Sequence, residues 1–92
     1  MFNLIDRKFK KIGFKKVNED KYVVSYEKEH ENPKYTQNLD LIHKSNGYHI
    51  IQSYDPKLMD EKCIGNTGVG ITMYEAKLCL AKMKKMGWKI KK

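Results

Sequence analysis

Lysines gathered at the two ends of the chain are the side chains with most chemistry to offer, and that chemistry is the binding of polyanions. Positions 1–16 carry six basic side chains and one acid, positions 77–92 carry seven lysines and no acid, and the stretch between carries six lysines against ten acids. An ammonium is a compact point charge with three donors, and displacing condensed counterions from phosphates gives affinity without sequence readout. The candidate contact residues are Lys10, Lys11, Lys15, Lys16, Lys77, Lys84, Lys85 and Lys89. A plainer reading of the same residues is that lysine complements the negative end of a helix and keeps a small domain soluble.

The other reactive side chains are not grouped for chemistry. His30 adjoins a turn, and His43 and His49 fall on opposite faces of a predicted hairpin, so no shared metal or proton-transfer constellation is expected. Cys63 and Cys79 stand sixteen residues apart with no further Cys or His at ligand spacing, which excludes a zinc signature. Both are expected reduced, Cys63 in a loop and Cys79 on the core face of a helix. The stretch GNTGVG (65–70) precedes a helix start, where backbone N–H groups attract anions. Its spacing is neither the dinucleotide fingerprint nor a P-loop, so an enzyme built on it is a weaker reading than a flexible lead-in. Glu27, Glu29 and Glu31 read as a solvated strand edge or face. The expectation is a protein that is not an enzyme and uses no cofactor or metal.

The elements that must position the lysines are two helices and a sheet. The stretch ITMYEAKLCLAKMKKMGW (71–88) reads as a helix started by Thr72 and Glu75, a capping box, and stopped at Gly87 with Trp88 folding back. At 100° per residue, Met73, Ala76, Cys79, Leu80, Met83 and Met86 fall on one arc, with Lys82 and Lys85 on the opposite side. A first helix is read from Asn3 as cap and from Phe2, Ile5, Phe9 and Ile12 at three- and four-residue spacing, stopping at Gly13. KKIGFKK and KKMGWK end the two helices with the same chemistry: lysine in the last turn, glycine at the stop, an aromatic beyond.

Between them, Asn18–Asp20 reads as a polar turn, and Tyr22, Val24 and Tyr26 alternate as a strand that HENPK (30–34) breaks. A second strand spans about 35–44. Asn46-Gly47 signals a two-residue type I′ turn, which sets His43 opposite Ile50, Leu41 opposite Gln52 and Leu39 opposite Tyr54 on the core side. Ile42 and Ile51 then share the other face. Asp55-Pro56 ends the third strand, and PKLMDEKC (56–63) offers a helical turn before the glycines.

These readings add up to an α+β fold of order α-β-β-β-α: one domain, 1–92, with a three-stranded antiparallel meander and two helices packed on one face. No apolar run reaches membrane-spanning length and the start has no signal-peptide pattern, so a cytoplasmic protein away from membranes is expected. Gly68, Gly70, Thr72, Ala76 and Lys77 stand at the spacing of the motif that opens the second helix of the double-stranded RNA-binding domain, which the chain resembles in its element order. Met73 and Tyr74 occupy the places of that family's paired lysines, and HENPK stands where its Gly-Pro-x-His loop would be. Through GFKKV, HIIQSYD and GITMYEAKLCLAKMKKMGW the chain is also similar to small proteins of unknown function encoded in phages and prophages of low-GC Gram-positive bacteria; that resemblance implies an accessory role. The leading expectation is a non-catalytic module that binds nucleic acid or another polyanion through its basic helix ends. The alternative is a protein-interaction or assembly module using the outer sheet face around Ile42 and Ile51, or a sheet edge.

Overall fold

The computed structural model describes residues 4–32, 34–59 and 68–89. Expectations that rest on Phe2, Asn3, Pro33, Cys63 and Gly65 lie outside them. The order is α1 (Leu4–Lys11), β1 (Lys15–Glu19), β2 (Val23–Glu31), β3 (Lys34–Ile42), β4 (Ile50–Tyr54), a 3₁₀ turn (Pro56–Met59) and α2 (Met73–Lys85). The α+β class holds, with both helices on one face, but the sheet has four strands in sequential order rather than three.

The two helix stops share one mechanism, as their sequences predict. Gly13 and Gly87 take φ of +98° and +82°. The Phe14 N–H donates to the Phe9 carbonyl and the Gly13 N–H to that of Lys10; Trp88 and Gly87 repeat the pattern on Met83 and Lys84. Each pair satisfies two carbonyls that a helix end otherwise leaves orphaned. The start of α2 is closed by the expected capping box, Glu75 N–H to Thr72 Oγ1 at 3.0 Å and Thr72 N–H to Glu75 Oε1 at 3.1 Å.

The additional strand is β1. Its residues KKVNE are all exposed and show no apolar alternation, so periodicity gives it no signal. It is held by pairing with β2, with a bulge between Lys16 and Asn18. The polar turn accordingly moves: Asp20 Oδ1 accepts the Tyr22 and Val23 N–H groups at 2.8 Å, closing a hairpin that starts after Glu19. β2 also runs further than expected, through His30 to Glu31.

The hairpin between β3 and β4 is longer by several residues than the two-residue loop that Asn46-Gly47 predicts. Gly47 takes positive φ, whereas among the described residues no non-glycine does, so Asn46 cannot make the type I′ turn. Instead the Gly47 N–H bonds to the Lys44 carbonyl and Asn46 Oδ1 caps the Tyr48 N–H. The observed register pairs Leu41 with Ile51, Leu39 with Ser53 and Ile42 with Ile50. It is one residue from the predicted one, and a one-residue slip exchanges the faces of a strand. Ile51 therefore packs against the core, while Ile50, Gln52 and Tyr54 lie on the outer side.

The core is a layer between sheet and helices: Phe9, Phe14, Val24, Tyr26, Leu39, Leu41, Leu78, Cys79, Met83 and Trp88. In α2 the buried face is Glu75, Leu78, Cys79, Lys82 and Met83. That is a rotation of about 80° from the arc predicted by apolar periodicity. Met73 and Leu80, expected inside, are exposed, and Lys82, expected outside, is only 1% exposed. Cys79 is buried as expected; burial and the nearby Glu75 push its thiol up to about 12, which makes it unreactive at neutral pH.

Candidate functional site

Lys82 is buried because carboxylates from other elements meet it. Its Nζ lies 2.8 Å from Glu19 Oε1 and 3.3 Å from Asp6 Oδ1. Lys16 Nζ reaches the same two residues, Asp6 at 2.8 Å and Glu19 at 3.0 Å, and the Tyr26 hydroxyl donates to Asp6 at 2.6 Å. Five side chains from α1, β1, β2 and α2 thus form one network in which two lysines meet two acids. Sequence reading missed it, although one signal was present. Lys82 sits on a row between Leu78 and Met86, and a lysine within an apolar row needs a buried acid.

The network has a pH signature. Burial raises the Asp6 carboxyl, but hydrogen bonds from Lys16 and Tyr26 and the charge of Lys82 outweigh it and hold Asp6 below its ordinary 3.8. Hydrogen bonds from Lys82 and Lys16 hold Glu19 below its ordinary 4.5 against some desolvation. Both shifts are depressions, so the stability they contribute is present above those ordinary values and is lost as pH falls through the folded ones. Lys16 is shifted the other way, above 10.5, by its bonds to Asp6 and Glu19, so its share is present below 10.5 and is lost at higher pH. Urea midpoints are expected to be flat at neutral pH and to fall below about pH 4. Asp6→Asn should lower the plateau and flatten the acid limb; an unchanged limb would assign the acid sensitivity to other groups.

The helices that carry the candidate lysines lie side by side and run antiparallel. Asp6, in the first turn of α1, meets Lys82, in the last turn of α2. The far ends agree: Gly13 lies over Lys28 of β2, whereas Trp88 packs on His43 and His49 at 5.2 and 5.5 Å. Lys28 pairs with Gln37, six residues before His43, so the two C-terminal ends are about 20 Å apart along the sheet. The candidate residues therefore divide. Lys10 and Lys11 crown the end of α1, Lys15 opens β1 beside it, and Lys84, Lys85 and Lys89 gather at the other end with α2's last turn. Lys77 lies on the outward side of α2, between the groups.

Lys16 is the candidate that the structure removes from the free set, because its ammonium is already shared by Asp6 and Glu19. The remaining seven, Lys10, Lys11, Lys15, Lys77, Lys84, Lys85 and Lys89, are exposed and have no carboxylate within ion-pair distance among the described residues. On the opposite side of the sheet, strand alternation places Glu27, Glu29 and Asp40 on the outer face, where Glu29 accepts from Thr36 and Asp40 from Tyr54. The apolar content of that face is one row, Val23–Ile42–Ile50, rather than the Ile42–Ile51 pair expected.

His43 and His49, expected on opposite faces, stack at 4.8 Å because the loop between β3 and β4 folds both toward Trp88. His49 Nδ1 accepts the Lys44 N–H and its Nε2 bonds the Lys89 carbonyl, which ties the loop to the end of α2. Among the described residues no group of three or more metal-ligating side chains forms. Gly68 bridges to Tyr54 and the Val69 N–H bonds the Ser53 carbonyl, so the last glycines before α2 continue the sheet edge. Among the described residues no helix is long and apolar enough to cross a membrane. No family model, curated protein or solved structure matches the chain.

Proposed function

We propose that the protein is a non-catalytic binding module whose helical layer contacts a polyanion, with nucleic-acid phosphates as the leading class. The observation that carries this reading is the sorting of its charges. The lysines of the network, Lys16 and Lys82, are neutralised by Asp6 and Glu19, whereas Lys10, Lys11, Lys77, Lys84, Lys85 and Lys89 have no carboxylate within ion-pair distance among the described residues. Lys15, paired with Glu27 across β1 and β2, falls on the other face of the sheet. The two acids on the helices are themselves occupied, Asp6 in the network and Glu75 in the capping box. The strand acids Glu27, Glu29 and Asp40 lie across the sheet. A molecule polarised in this way presents one cationic layer, which raises the local concentration of a polyanion and orients it.

The antiparallel helices give the contact its form. Lysines at both ends of the layer and Lys77 between them suit an extended phosphate chain rather than a single anion in a cup. Contacts of that kind position a backbone and read no bases.

The test is a salt titration of binding to generic duplex DNA and RNA by fluorescence anisotropy. Affinity is expected to fall linearly on logarithmic axes, and Lys84→Ala and Lys85→Ala should each reduce the slope by about 1. Lys16→Ala should leave it nearly unchanged, since that ammonium is already paired. Absence of binding at low salt, or a slope indifferent to these substitutions, would sink the reading.

A further inference from the structure

The rotation of α2 away from its apolar periodicity leaves a surface that is not covered by the described residues. Met73, Tyr74 and Leu80 are 91%, 48% and 52% exposed, and with Ala76 and Lys77 they line a shallow groove of about 390 Å³. At 100° per residue, Met73, Lys77, Leu80 and Lys84 fall within about 60° of one another, so apolar side chains and unpaired ammonium groups alternate along one row. Large apolar side chains left open together mark an interaction surface, and the interleaved lysines specify its partner.

We propose that this groove docks an acidic amphipathic helix of a partner protein, with apolar side chains seated between Met73 and Leu80 and carboxylates on Lys77 and Lys84. Charge complementarity selects that occupant. A second copy would bring the same basic row against itself across a two-fold axis, in a chain whose formal charge is already +8. A lipid surface would place Lys77 in the middle of the buried stripe instead of at its border, where a lysine can reach water. A phosphate backbone would use Lys77 and Lys84 but offers nothing to Met73 and Leu80. The docking surface thus overlaps the polyanion layer at two lysines and is separable from it at two apolar residues.

The experiment titrates the full chain with a synthetic helical peptide that carries leucines on one face and glutamates on both borders. The readouts are amide chemical shifts and anisotropy. Shifts are expected at Met73, Lys77 and Leu80, and Met73→Asp and Leu80→Asp should each weaken binding roughly tenfold or more. Lys77→Ala should lower both affinity and its salt dependence. Both apolar positions are exposed, so unchanged amide spectra elsewhere will certify the fold, and Leu80→Ser repeats the test without an added charge. Neither aspartate variant should move the salt slope for duplex DNA by more than the charge it adds, which separates failure here from failure of the polyanion reading. Several results would overturn the proposal: equal binding of a peptide with serines for leucines, concentration-dependent dimers abolished by Leu80→Asp, preference for anionic vesicles over the peptide, or no binding at all.

Discussion

Truncating Lys82 to alanine lowers the free energy of unfolding by about 3–5 kcal/mol, a large share of the roughly 5–15 kcal/mol that holds a small domain together. Two costs combine. The lysine stem fills core space beside Leu78 and Met83, and its removal opens a cavity in a close-packed layer. The larger cost is electrostatic. Asp6 and Glu19 would share Lys16 alone, leaving the partly buried Asp6 carboxylate and the more exposed Glu19 with one cation between them. For a domain of this size the melting temperature should drop by on the order of 20 °C, followed through the fluorescence of Trp88, the single tryptophan.

Companion variants separate the costs. Lys82→Met keeps most of the volume and loses the charge, so it should fall between alanine and wild type. Adding Asp6→Asn and Glu19→Gln to Lys82→Met removes the unpaired acids, and much of the loss should return, because the network acts as a unit and its parts are not additive. A loss for Lys82→Ala below about 1 kcal/mol would show instead that the cluster is solvated and contributes like a surface pair.

What the sequence made legible was whatever is decided over four or five residues. Thr72 and Glu75 cap α2, and Gly13 and Gly87 stop the helices, because those bonds are closed by neighbours in the chain. Three things were hidden, each for a physical reason. KKVNE forms a strand only because β2 is long enough to pair on both sides, and its own side chains say nothing of it. The β3–β4 register follows from a loop that departs from its best turn dipeptide, and there His43 and His49 pack with Trp88 while His49 bonds Lys89 across 40 residues of chain. The buried face of α2 was misplaced because periodicity equates apolar with buried, and here Lys82 and Glu75 go inside on hydrogen bonds while Met73 and Leu80 stay out. The candidate lysines could be named from the sequence. Which of them are neutralised depends on Asp6 and Glu19, partners at least ten residues from Lys16 or from Lys82 in all but one pairing.

Phe9→Ala should cost about 3–5 kcal/mol as well, and by a route that starts in the shorter of the two described α-helices. Phe9 is fully buried, stacked on Tyr26 with ring centroids 4.0 Å apart and edge-on to Phe14 at 5.8 Å. Such pairs contribute about 0.5–1.5 kcal/mol beyond the area they bury. α1 is eight residues long, and Phe9 is its one fully buried side chain; a helix that short does not persist in water without tertiary packing. Losing the ring loosens α1 from the sheet, and Asp6 leaves Lys82 and Tyr26 with it. Hydrogen exchange should therefore show protection lost across Leu4–Lys11 at lower free energy than in β2 and β3. Phe9→Ala combined with Asp6→Asn should destabilise by clearly less than the sum of the two, since the first substitution already removes what the second would break. Full additivity would mean that α1 stays docked without Phe9, and that the ion network rather than the aromatic stack holds the helical layer on the sheet.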